Sequence, residues 1–202
     1  MKFSSFLQER DGWETLSSEL HFENAHLAVA TEEVRTPGRP EGRRWTTVHR
    51  KAAVVVAPIS AEGKMVLIRQ ERIPIRSTIW EVPAGQIDDS AELAQLEIEA
   101  IALQELREET GYALGAHGEI VPLGHFFSSA GFTDEHAYFF LARNVELTAE
   151  GHAHGGSEVI TGCETFTPRQ LGTMIANNEI RDANTLSICA KLVARGFLVL
   201  YA

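Results

Sequence analysis

The chain is poor in cysteine, in positive charge and in long apolar runs, and each shortage excludes a class of protein. Only Cys163 and Cys189 occur among 202 residues. They lack metal-ligand spacing and cannot make a disulfide framework, so two reduced, buried thiols are expected. Lysine and arginine total 18 against 28 acidic residues, a net charge of -10. That balance argues against a broad nucleic-acid-binding surface, which needs a basic footprint. No stretch approaches the roughly 18 apolar residues of a membrane span. The opening segment MKFSSFLQERDGWE reaches charge before any long apolar h-region, so neither a signal peptide nor a membrane anchor is expected and the protein is placed in the cytoplasm. Glycine (16) and proline (7) are too few for a collagen-like or low-complexity chain. With 44% apolar and 23% charged residues, the composition is that of a globular protein.

Residues 1–20 give little periodicity, while 21–34 read as strand material. Prolines and glycines mark a turn or loop from Thr36 to Gly42. The β pattern resumes at Trp45–Val48. Ala52–Pro58 is a continuous β-branched run, expected as a buried strand. A hairpin turn at Ser60–Lys64 leads into Met65–Gln70. Further strands are expected at Ile79–Pro83, Ile120–Phe127 and Ala137–Ala142. The strongest helix runs from about Ser90 to Thr110, capped by Ser90 or Asp89 and stopped by Gly111. Leu93, Leu96, Ala100 and Leu103 supply its expected buried stripe. Two helices close the chain, at Pro168–Asn177 and Ala183–Ala194.

The chemistry gathers on the acidic helix. Glu105, Glu108 and Glu109 stand at i, i+3 and i+4, so three carboxylates share one face. They repel one another, and they lie at the helix C-terminus, where the dipole disfavours anions. A hard divalent cation, Mg²⁺ or Mn²⁺, resolves both penalties and leaves room for phosphate oxygens and water. A solvated acidic face is the bland alternative. Upstream, Glu81-Val82-Pro83-Ala84-Gly85 runs a strand into a tight turn whose backbone carbonyls can join such a site.

Pro83-Ala84-Gly85, followed by Arg107-Glu108-Glu109-Thr110-Gly111-Tyr112, resembles the signature of the Nudix hydrolases, and within them the ADP-ribose and nucleoside-diphosphate-sugar pyrophosphatases. The family signature is a Gly, five residues, a Glu, seven residues, then Arg-Glu-aliphatic-x-Glu-Glu-x-Gly-aliphatic. Its second half matches Glu105, Leu106, Glu108, Glu109, Gly111 and Tyr112. The likeness extends over residues 45–195. It takes in Gln70-Glu71-Arg72, the loop Ser128-Ser129-Ala130-Gly131-Phe132-Thr133-Asp134-Glu135, and Ile180-Arg181-Asp182-Ala183-Asn184-Thr185. Two departures stand out. Gln104 occupies the Arg slot, and the 19 positions from Gly85 to that slot exceed the family's spacing by five. Glu92, Glu97 and Glu99 therefore compete for the role of the upstream Glu.

The resemblance implies an α/β (α+β) Nudix-type α/β/α sandwich with a mixed sheet, and a small β-rich segment before it. Residues 1–50 would form that N-terminal dimerisation segment and residues 51–202 the hydrolase domain, giving a homodimer. The implied activity is Mg²⁺-dependent hydrolysis of ADP-ribose or a related nucleoside diphosphate sugar. The implied metal ligands are Glu105, Glu109 and the Ala84 backbone carbonyl, with Glu108 assisting. Glu158, in a glycine-rich loop, is the implied water-activating carboxylate, and Glu135 is its rival. Arg72 is assigned to the diphosphate, because Arg pairs bidentately with phosphate; a surface salt bridge is the alternative. Glu81 pairs with an Arg or touches the sugar. Phe132 and Trp80 offer rings for a base, against core packing. His152 and His154 are read as parts of a mobile loop rather than a metal site, and Arg35, Arg39, Arg43 and Arg44 as a solvated face. A non-catalytic nucleotide-sugar-binding or regulatory domain is the competing function.

Overall fold

Two short apolar runs joined by a glycine turn form a pair of antiparallel strands. In the computed structural model, which describes residues 11–87, 93–149, 151 and 159–201, β4 (Ala53–Ser60) is buried almost throughout and β5 (Met65–Arg72) is buried at Met65–Ile68 and Gln70. Gly63 closes the turn between them with φ +75°, and Ser60 N–H bonds Lys64 O at 2.8 Å. Before them, β1 (Glu14–Glu23), β2 (Leu27–Thr36) and β3 (Arg39–Arg50) form an antiparallel three-stranded sheet in that order. Of the turn or loop expected at 36–42, the structure has a tight turn, and pairing already resumes at Thr36 opposite Arg39.

After β5 come a 3-10 turn at Ile73–Ile75, β6 (Ser77–Glu81) and the short β7 (Ala84–Gln86). Helix α1 (Gln95–Thr110) is followed by β8 (Tyr112–Phe127), β9 (His136–Leu147) and β10 (Ile160–Phe166). These strands make a seven-stranded sheet ordered β10-β5-β4-β9-β8, with β6 on β5 and β7 on β4. Helices α2 (Pro168–Ala176) and α3 (Ala183–Ala194) complete the chain. The fold is mixed α+β, as expected.

The chain divides into two compact units. The first comprises Met1–Ala53, Gln86–Ala94 and Phe127–Ala137; the second holds Val54–Gly85, Gln95–Phe126 and Tyr138–Ala202. The core of the second is Val54–Ala57, Met65–Ile68, Leu106, Phe139, Leu141, Leu171, Ile188 and Leu192, all buried. Fully burying one such side chain contributes about 1.5–3 kcal/mol.

Helix α1 corrects two expectations. It starts at Gln95, not near Ser90, so the added length before the acidic turn lies largely ahead of the helix. Its proposed caps, Asp89 and Ser90, lie outside the described residues. Leu96 is 77% exposed, and the buried side chains are Ile98, Ala102, Leu106, Glu109 and Thr110. The buried stripe thus runs onto the acidic turn and takes a carboxylate inward. At its end Gly111, with φ +74°, donates to Arg107 O at 2.9 Å, the left-handed stop a glycine permits.

Candidate active site

Within the second unit the Pro83-Ala84-Gly85 turn lies against the acidic end of α1. Ala84 N–H donates to Glu109 Oε2 at 2.8 Å, and Glu109 is only 4% exposed. Gly85 meets Glu105, one helical turn earlier on the same face. A Cβ placed on it would stand 2.0 Å from Cδ and 2.1 Å from Oε1 of Glu105. Only a residue without a side chain allows that approach. Glu105 and Glu109, one helical turn apart, are thereby held at one backbone turn. Glu108 is half-buried and is held differently: Gln104 Nε2 donates to its Oε1 at 2.8 Å. The residue in the Arg slot thus engages one of the acidic residues through a single hydrogen bond from an uncharged amide.

The strand leading into the turn is tied as well. Glu81, 2% exposed, accepts from Arg72 in a side-on fork, with Nε to Oε1 at 2.9 Å and Nη2 to Oε2 at 2.5 Å. A carboxylate buried this deeply is tolerable because it is paired. The pair fixes the guanidinium plane at the end of β5. Next to it Trp80 packs edge-on against Phe166 at 5.1 Å, with Arg69 over its ring at 6.0 Å.

In the first unit the loop 128–135 is bound to β3. Val48 N–H donates to Phe132 O at 2.8 Å, and Trp45 Nε1 to Gly131 O at 3.0 Å. Asp134, buried, accepts from His49 Nδ1 at 2.6 Å and from Arg50 N–H at 2.8 Å. The hydrogen bond to Asp134 holds the His49 imidazole above its usual pKa; burial opposes this, and the charges of Asp134 and Glu32 add to it. Glu135 accepts from Ser128 Oγ at 2.6 Å and pairs with Arg50 at 3.0 Å. Beside the loop is a cavity of about 500 Å³ whose lining includes Trp13, Trp45, Phe132, Glu32 and His49. Phe132 remains 55% exposed there.

Among the described residues no three His, Cys, Asp or Glu side chains converge into a ready-made metal cage. The donors nevertheless fit a divalent ion. Two carboxylates meet at one turn, and the cradle that a Gly85 Cβ would fill is taken by Glu105. Mg²⁺ is commonly held by one or two carboxylates, its remaining positions going to water and substrate phosphate. All the donors are oxygens, which suits a hard cation.

A strand, a Pro-Ala-Gly turn and an acidic helix face are joined in this way at one place. Residues 48–187 match the NUDIX domain; the chain belongs to the Nudix family and is a Nudix hydrolase. It is 30% identical over 171 residues to the ADP-ribose pyrophosphatase of Bacillus subtilis (strain 168), covering 85% of this chain and 87% of that one. It is 31% identical over 142 residues to the ADP-ribose pyrophosphatase of Mycobacterium tuberculosis (strain ATCC 25618 / H37Rv), 70% of this chain and 65% of that one. A methanol dehydrogenase activator of Bacillus methanolicus is 29% identical over 131 residues, 65% of this chain and 66% of that one. Among solved structures, an ADP compounds hydrolase superposes with TM-score 0.71 at 15% identity, covering 92% of this chain and 97% of that one. That last likeness is one of fold.

The structure therefore brings Ala84, Glu105 and Glu109 together, sets Glu108 beside Gln104, and pairs Arg72 with Glu81. Phe132 and Glu135 share one loop of the first unit. Glu158, His152, His154 and Glu92 lie outside the described residues. Of the basic hairpin residues, Arg35 pairs with Glu14, and Arg44 with Glu19 at 3.1 Å. The sequence reading missed the Trp13–Trp45 cavity and the His49–Asp134 pair. Partners 85 positions apart leave no local spacing to read. Two of the three tryptophans falling in the N-terminal β region was the available signal.

Proposed function

We propose that this protein hydrolyses the pyrophosphate bond of ADP-ribose, or of a related nucleoside diphosphate sugar, with Mg²⁺ or in its place Mn²⁺. The products are a nucleoside monophosphate and a sugar phosphate. The observation that carries this reading is the convergence of Glu105 and Glu109 on the Ala84–Gly85 turn.

When bound, the divalent ion supplies charge neutralisation at the diphosphate and a more acidic water. Glu105 and Glu109, with the Ala84 carbonyl, would hold it, and Glu108 would assist from the same helix. A water oxygen forms a bond to one phosphorus as the bridging P–O bond breaks. The water's proton passes to a carboxylate, for which Glu158 is proposed and Glu135 is the rival. Arg72, its plane fixed by Glu81, is proposed to hold the diphosphate. Phe132 is proposed to offer its ring to a base, and Glu135 steadies the loop that carries it. Every residue of β1 is exposed, Leu16, Leu20 and Phe22 included. Such a strand is best explained by a second copy of the chain, so residues 1–50 are proposed as the dimerisation segment of a homodimer. Two free thiols suit the reducing cytoplasm, and no described helix is long and apolar enough to cross a membrane.

The second reading, a regulatory domain without turnover, draws on Gln104 in the Arg slot and on the relative named as an activator. A panel of nucleoside diphosphate sugars, assayed by product chromatography with and without Mg²⁺, separates the two. Metal-dependent release of AMP, fastest from ADP-ribose, is expected. Binding without turnover supports the regulatory reading.

A further inference from the structure

The Ile180–Thr185 stretch reaches the segment whose turn the α1 carboxylates rest against. Asp182 caps α3. Its Oδ2 accepts from Thr185 N–H at 2.7 Å and from Thr185 Oγ1 at 2.8 Å. The Thr185 hydroxyl proton is thereby committed to Asp182, and its oxygen can only accept from the other side. It does so from Val82 N–H, at 3.0 Å. Thr185 is fully buried and Val82 is 1% exposed, so water cannot replace this bond.

The segment from Glu81 to Gly85 is held at successive positions by four different elements. Arg72 of β5 grips Glu81, and Thr185 of α3 takes Val82 N–H. Val56 N–H of β4 takes Pro83 O at 3.0 Å. Glu109 of α1 takes Ala84 N–H. The Thr185 bond lies two residues before the amide that orients Glu109, and three before the glycine against which Glu105 rests.

We propose that Thr185, aimed by Asp182, is a positioning residue for the carboxylate site: by holding Val82 N–H it sets the turn against which Glu105 and Glu109 are placed. This rests on the metal-assisted hydrolase reading above. A purely structural threonine would stabilise the fold without tuning the site; the clamp predicts an effect on metal binding and on kcat.

The test compares Thr185→Val, which keeps shape but loses the hydroxyl, with Thr185→Ser, which keeps the hydroxyl. Foldedness is checked by circular dichroism, Mn²⁺ binding by electron paramagnetic resonance, and kcat and KM with ADP-ribose. In folded Thr185→Val, Mn²⁺ affinity and kcat fall about tenfold or more, the scale of one buried hydrogen bond. KM changes little, and Thr185→Ser recovers to within about threefold of wild type, as expected when the hydroxyl is retained. A folded Thr185→Val with wild-type Mn²⁺ affinity and kcat overturns the proposal. If Thr185→Val does not fold, amide hydrogen exchange on the wild type decides. Protection of Val82 N–H equal to that of the α3 amides supports the clamp, and fast exchange overturns it. If the wild type binds Mn²⁺ but turns over nothing, the hydrolase reading fails and Mn²⁺ affinity still judges the clamp. A wild type that binds no Mn²⁺ overturns both.

Discussion

Replacing Gly85 with alanine separates site geometry from fold stability. The new methyl would lie 2.0 Å from Cδ, 2.1 Å from Oε1 and 2.5 Å from Cγ of Glu105, whereas ordinary contact begins at 3.4 Å. The carboxylate must therefore retreat by more than about 1 Å. It is the far end of a flexible side chain on a half-buried helix position, so the retreat costs little. Gly85 has no positive φ, and an alanine at a compatible backbone position stabilises by about 0.4–1 kcal/mol through the unfolded state. Melting temperature should stay within a few degrees of wild type. Activity should not: a displacement of about 1 Å at a catalytic group can cost on the order of 100-fold. The assay is kcat for ADP-ribose at saturating Mg²⁺, read beside a thermal melt. A Gly85→Ala protein with wild-type kcat refutes the argument, because Glu105 would then work from elsewhere. A collapsed melting temperature refutes it too, since the methyl would be colliding with more than a side chain.

His49 makes stability depend on pH. Its folded pKa lies above the 6.5 of an ordinary imidazole, so its contribution is complete below about 6.5 and is lost as pH rises through the folded value. Urea melts should show lower stability above that window, and His49→Gln should flatten the slope; a slope unchanged by the substitution contradicts the assignment. The two thiols, pushed by burial to about 11, should resist alkylation in native protein at pH 8 and react in guanidinium. Rapid native labelling would show that the second unit opens. Arg72→Lys cannot reproduce the side-on fork to Glu81, and KM for ADP-ribose should rise about tenfold, the scale of a lost charge-assisted bond; an unchanged KM removes Arg72 from substrate binding.

What the sequence disclosed was local. The capping box of Thr167 with Gln170 and the cap by Asp182 make α2 and α3 legible to within a residue. Three consecutive valines mark β4. Strand β1 was illegible because all ten of its residues are exposed, so no buried face imposes a period of two. Strand β8 begins at Tyr112, well before the expected Ile120, because its first half, YALGAHGE, has no β-branched residue. On α1, leucines suggested the buried stripe, but tertiary packing instead buried Ile98, Ala102 and Leu106 and drew in Glu109. The acidic face and the glycine turn were visible as motifs. The contact of Glu105 with Gly85, and the Arg72–Glu81 fork, needed three dimensions.

The central claim is that the carboxylates at the Ala84–Gly85 turn support diphosphate hydrolysis. Phosphorus NMR of ADP-ribose in ¹⁸O-water, with Mg²⁺, tests it most directly when wild type and Glu105→Gln are run together. The account predicts that wild type converts the diphosphate signals into two phosphomonoesters, only one carrying ¹⁸O, while Glu105→Gln and a metal-chelated sample stay unchanged. Equal turnover by Glu105→Gln, or an intact diphosphate with wild type, would contradict it.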